Sequence, residues 1–112
     1  MSGRKESLAF TFRARQDYQE ILLYSLEVWG PDQLDRYEAT IDDAIRRIRE
    51  FSRSGRDCTQ LMADGRCVRA GHHVIYYTSS DGVVTIHRIL HERRRVTSAM
   101  MQPEPVDDPH DT

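Results

Sequence analysis

Between Gly65 and Arg94 the chain reads GRCVRAGHHVIYYTSSDGVVTIHRILHERR. This stretch limits the fold more than any other, because it holds two strand-turn-strand signals in succession. Val68 runs into Ala70-Gly71, and His73-Val74-Ile75-Tyr76-Tyr77 supplies β-branched and aromatic residues. Ser79-Ser80-Asp81-Gly82 then supplies turn chemistry before Val83-Val84-Thr85-Ile86 resumes an extended run. These breaks predict a three-stranded antiparallel meander. Its last strand ends in Arg88-Ile89-Leu90-His91 and then Arg93-Arg94-Arg95, so the sheet delivers a cluster of cations to one edge.

Upstream, the period of the apolar residues changes. Leu8, Phe10 and Phe12 alternate, which predicts a first strand over 8–12 that pairs with the later sheet. From Ala14 to Trp29 the residues Ala14, Tyr18, Ile21, Leu22, Ser25, Val28 and Trp29 fall on one side of a helix. Gly30-Pro31-Asp32 marks a tight break. A second helix follows, with Leu34, Tyr37, Ile41, Ala44, Ile48 and Phe51 spaced by threes and fours and Ile45 widening the stripe. Burying each larger side chain of that stripe is worth about 1.5–3 kcal/mol, so it must pack on the first helix and the sheet. The expected order is strand, helix, helix, strand, strand, strand, with a short C-terminal helix from Glu92 to Met101. The fold class is α+β, a helical hairpin on a small curved antiparallel sheet.

A chain of 112 residues holds one core. We assign it to residues 1–101 and read 102–112, with three prolines and four acids, as a disordered acidic tail. The net charge of −2 conceals segregation: residues 1–13, 14–65, 66–95 and 96–112 carry +2, −4, +4 and −4. A basic sheet is thus joined to an acidic helical region, which suits an acidic partner surface or nucleic acid. No apolar run is long enough for a bilayer and the first residues lack signal-peptide character, so the expected location is the cytoplasm. Cys58 and Cys67 have neither redox nor zinc spacing, and free thiols are expected. No cofactor loop occurs, and no cofactor is expected. His72 and His73 are adjacent on a predicted strand and point to opposite faces, so they do not form a metal site.

In this order and with these residues the chain resembles the ParE-type toxins of the RelE/ParE superfamily of toxin–antitoxin systems. The resemblance spans nearly all of residues 8–95. It rests on Asp17, Ile21 and Tyr24 in a helix ending at Trp29-Gly30, on the Tyr37-bearing second helix, and on Gly65-Arg66 at the start of the meander. Gly71-His72-His73-Val74-Ile75-Tyr76-Tyr77 and Ile86-His87-Arg88-Ile89-Leu90-His91 complete it. It implies a toxin that poisons DNA gyrase by binding, without catalysis, and that is held inactive in a hetero-oligomer with a cognate ParD-like antitoxin. Sequence-specific nucleic-acid binding is not implied. The alternative within the superfamily is a RelE-type ribosome-dependent messenger RNA endoribonuclease, and a third reading is a member whose toxicity is weak or lost. Nuclease members place lysines and arginines on the sheet and a tyrosine after the last strand. Here Lys5 is the sole lysine and no tyrosine follows His91. Many ParE-type chains carry an aspartate where this one has Arg94 and Arg95.

The expected target-binding residues are Arg88, His91, Arg93 and Arg94, at the basic end of the meander. Two roles are open to Arg88: contact with a target, or a structural pair with a carboxylate such as Asp17. Alternation places Arg88 on the face of Ile86 and Leu90, and His91 on that of His87 and Ile89. The arginines at 93–95 serve either a partner or solvation. Leu23 and Leu26 project away from the first helix's core stripe and are assigned to antitoxin binding. No residue is assigned a catalytic role.

Overall fold

The computed structural model describes residues 5–101; the tail expected over 102–112 lies outside them. The chain runs through β1 (Ser7–Phe10), α1 (Phe12–Trp29), α2 (Pro31–Glu50), β2 (Arg56–Asp57), β3 (Arg66–Ala70), β4 (His73–Ser80) and β5 (Val83–His91). A 3₁₀ turn, Ser98–Met101, follows. It occupies only the end of the segment expected to be helical. The strands form one sheet in the order β1-β5-β4-β3-β2. The expected α+β architecture is present, with one correction: β1 lies parallel to β5, so the sheet is mixed, while the other neighbours are antiparallel. The two-residue β2, within a segment read as a polar connection, adds an edge strand.

Local chemistry explains where each element departs from its expected bounds. β1 stops at Phe10 because Thr11 caps α1. Its backbone is extended (φ −69°, ψ 163°) and its hydroxyl accepts the Ala14 N–H at 3.0 Å. Phe12, expected to be a buried strand residue, is therefore the first helical residue and is exposed. Gly30 joins the helices with φ 92°, a value that favours glycine, and Pro31 opens α2. Phe51 leaves the α2 stripe because it is the C-cap, with φ −135° and ψ 68°, and it lies in solvent.

The sheet has a core on each face. Toward the helices, Ile41, Ala44, Ile45 and Ile48 of α2 and Ala14 and Ile21 of α1 pack on Ile75, Tyr77, Val84, Ile86 and Ile89. Toward the other side, Cys67, Tyr76 and Leu90 are covered by Cys58 and Met101, with Leu61, Met62, Val96 and Met100 around them. The residues after β5 are thus held beneath the sheet.

A bulge decides the end of β5. Tyr76 pairs with Arg88 but Tyr77 pairs with Ile86, leaving His87 as the extra residue. Strict alternation fails there: Ile86 and Ile89 both reach the helix-side core, and Leu90 lies in the opposite one. The expected shared face of Ile86 and Leu90 is corrected accordingly. β1 ends opposite Ile86, so β5 has no strand neighbour on that side beyond it. The start of α1 satisfies the vacant edge. The Thr11 N–H donates to the Ile86 carbonyl at 3.0 Å, and the Thr11 hydroxyl to the His87 carbonyl at 3.0 Å. The Ile89 N–H donates to Asp17 Oδ2 at 3.0 Å.

Candidate functional site

Asp17 is the hinge between fold and site. It accepts the Ile89 N–H and a two-pronged contact from Arg88, Nε to Oδ2 at 2.8 Å and Nη2 to Oδ1 at 3.0 Å. Both residues are buried, with 6% of Arg88 and 9% of Asp17 exposed. Arg88 Nη1 also donates to the Met100 carbonyl at 3.4 Å, tying the C-terminal segment to the same centre. The geometry is that of the structural pair: Arg88, one of four residues assigned to target binding, is turned inward and presents no guanidinium to a partner. Bidentate pairing is what allows two charges to persist without water.

Beside this pair, α1, the start of α2 and the end of the sheet enclose a groove of about 630 Å³. Asp17, Glu20, Ile21, Tyr24, Ser25 and Trp29 line it from α1, and Gln33 and Tyr37 from α2. The sheet and its continuation supply His72, His73, Ile89, Leu90, His91 and Arg94. Two of the expected target residues, His91 and Arg94, are thus brought together here. Arg93 is exposed, and its N–H donates to His91 Nδ1 at 3.1 Å.

The floor of the groove is built around the Tyr37 hydroxyl. It lies 2.6 Å from His73 Nδ1 and accepts the His72 N–H at 2.9 Å. Gly71 permits this approach: its φ is 62°, and a Cβ there would lie 2.7 Å from the Tyr37 ring. His91 stands edge-on to His73, with ring centroids 5.3 Å apart, and stacks at 6.4 Å from His72. Burial, and then the neighbouring His91 and His72, push the His73 pKa down to about 4, so this ring is neutral at pH 7. Glu92 bridges the rim, meeting Arg69 through one oxygen and His72 Nδ1 through the other at 3.1 Å. The hydrogen bond to His72 holds the Glu92 carboxyl below its usual range. Among the described residues, no three His, Cys, Asp or Glu side chains are arranged to hold a metal ion. The groove therefore offers aromatic faces, imidazole rings of which His73 is neutral, and a cation at its mouth, a surface suited to binding a macromolecule.

Outside the groove, Leu23 and Leu26 are exposed, at 58% and 41%. Tyr24, Val28 and Trp29 are exposed beside them, which corrects the expectation that Val28 and Trp29 belong to the core stripe. The second half of α1 thus carries several exposed apolar side chains, of which Tyr24 and Trp29 also line the groove. Sequence reasoning missed Tyr24, Trp29 and Tyr37 as groove residues. The available signal was a tryptophan placed directly before a helix-breaking Gly-Pro.

Residues 8–96 match the family described as the ParE toxin of the type II toxin-antitoxin system, parDE. Toxin ParE1 of Mycobacterium tuberculosis is 31% identical over 84 residues, covering 74% of this chain and 86% of the relative. Toxin ParE1 of Caulobacter vibrioides is 35% identical over 81 residues, with 71% and 82% covered. Toxin ParE of Escherichia coli is 30% identical over 84 residues, with 74% and 82% covered. A solved structure described as the chromosomal ParDE TA system from P. aeruginosa superposes with a TM-score of 0.66 at 16% identity, over 78% of this chain and 96% of that one. At that identity the superposition speaks for the fold alone.

Proposed function

Given that the chain belongs to the ParE toxin family of type II toxin–antitoxin systems, we propose that it acts by binding DNA gyrase, without catalysis, and that a cognate ParD-like antitoxin neutralises it. The observation that carries this reading is that the exposed apolar residues of α1, from Leu23 to Trp29, include two, Tyr24 and Trp29, that also line the groove with His91 and Arg94. An antitoxin helix laid on these residues reaches the mouth of the groove, so one ligand both buries the exposed leucines and blocks the basic end.

Binding is favoured over RNA cleavage by what the sheet arginines do. Arg88 is held by Asp17, Arg66 donates to the carbonyls of Arg53 and Gly55 at 3.1 and 2.9 Å, and Arg69 meets Glu92. Each of these cations has an internal partner instead of facing a scissile phosphate. Arg93 and Arg94, with His91, are the proposed target contacts.

A supercoiling assay with purified gyrase tests the reading. The protein inhibits at stoichiometric ratio, antitoxin relieves the inhibition, and the Arg93→Ala/Arg94→Ala variant loses it while keeping its thermal stability. No inhibition in excess, together with ribosome-dependent cleavage of messenger RNA, would replace this reading with the nuclease one.

A further inference from the structure

The two cysteines lie together on the face of the sheet opposite the helices, far in function from the groove. β2 and β3 pair Arg56 with Cys67 and Asp57 with Arg66, and the next step is made by the Cys58 N–H donating to the Gly65 carbonyl at 2.9 Å. In an antiparallel ladder this puts Cys58 and Cys67 on the same face as diagonal neighbours, so a bridge between them needs the edge strand to shift toward β3. Both side chains belong to the second core, and the neighbouring Cys67 adds to the burial that pushes the Cys58 thiol pKa up to about 11. The exposed Arg56 guanidinium donates to Cys67 Sγ at 3.4 Å. A buried lone cysteine is ordinarily inert, but a thiol beside a cation and a second thiol meets the chemical requirements for oxidation.

We propose that Cys58 and Cys67 form a dithiol site that closes to an intramolecular disulfide on reaction with hydrogen peroxide. Cys67, which accepts the hydrogen bond from Arg56, is the attacking sulfur, and Cys58 resolves. The Cys67 sulfur bonds to one peroxide oxygen as the O–O bond breaks, and the released hydroxide leaves as water after taking a proton. The resulting Cys67 sulfenic acid is attacked by the Cys58 sulfur. An S–S bond forms, the S–O bond breaks, and the departing hydroxide carries off the Cys58 proton as a second water. Two thiols thus lose two electrons and two protons, and the peroxide is reduced. Burial of both sulfurs, 4% and 2% exposed, makes the step depend on fraying of the two-residue edge strand β2. The bridge closes a ring of about ten residues over the second core and constrains the unfolded chain, raising the melting temperature by several degrees.

Mass spectrometry of the full chain after hydrogen peroxide treatment tests this. Trypsin cuts after Arg56, Arg66 and Arg69, so the bridge is read as peptides 57–66 and 67–69 joined, lighter by two hydrogens than their sum and separated by dithiothreitol. In wild-type protein the two free thiols fall to none without covalent dimers. In Cys58→Ser, dimedone captures a sulfenic acid on Cys67, and Arg56→Ala slows loss of thiol several-fold. Persistence of both thiols at peroxide levels that oxidise glutathione, sulfinic or sulfonic products in their place, or bridges only between chains would overturn the proposal. A dimedone adduct on Cys58 in Cys67→Ser, with none on Cys67 in Cys58→Ser, would overturn the assigned order of attack.

Discussion

Asp17 shows how one side chain can tie fold to site. A carboxylate on the first turns of α1 completes the backbone ladder of β5 through the Ile89 N–H and at the same time neutralises the guanidinium of Arg88. Removing one member of such a pair leaves a buried charge with its partner gone, which costs about 3–5 kcal/mol. That is a large share of the roughly 5–15 kcal/mol that holds a domain folded. Arg88→Met is therefore expected to lower the unfolding free energy by that amount in urea titration. A loss below about 1 kcal/mol would mean that the pair is effectively solvated. The sequence left two roles open for Arg88. Choosing between them required knowing that α1 crosses the end of β5, which no local pattern encodes.

At the scale of elements, α1 divides into two halves with different tasks. Ala14, Asp17 and Ile21 face the sheet, whereas Leu23, Tyr24, Leu26, Val28 and Trp29 stand in solvent. Leu23→Glu is expected to weaken binding of the cognate antitoxin at least tenfold in calorimetric titration. The melting temperature should hold, because an exposed side chain contributes within about 0.5 kcal/mol to folding. Unchanged affinity would place the antitoxin elsewhere. The helical period identified α1, but could not tell where its apolar stripe ceases to be core. That limit is set by tertiary packing: Ala14 and Ile21 reach the helix-side core, and Val28 and Trp29 do not. Phe12 and Phe51 failed for a related reason: each sits where a cap changes the backbone direction, so the period of the neighbouring element no longer applies.

For the whole molecule, the groove gives stability a dependence on pH. The His73 pKa is about 4 in the folded protein against 6.5 for an ordinary histidine, so between these values the unfolded chain binds the extra proton. Stability therefore falls as pH drops from about 6.5 toward 4, and is unaffected by this group above about 6.5. After allowance for partial solvent screening, the loss attributable to His73 is about 1–2 kcal/mol. Denaturant unfolding at pH 7 and pH 4.5 should show a wild-type loss that exceeds that of His73→Gln by this amount. Equal losses in the two proteins would mean that water already reaches the ring. Among the described residues no helix is long and apolar enough to cross a membrane.

The sequence by itself determined the number and kind of the main elements, the break at Gly30-Pro31, the meander and the family, because each follows from local periodicity, turn chemistry or the order of short motifs. It also identified the exposed leucines of α1, which the same periodicity sets apart from the core. Only the tertiary structure decided that β1 runs parallel to β5, that the bulge at His87 separates Ile86 from Leu90, and that Asp17 claims Arg88. The meeting of Tyr24, Trp29, Tyr37 and three histidines in one groove belongs with these. All of them depend on residues far apart in the chain, and their placement is set by how the layers pack.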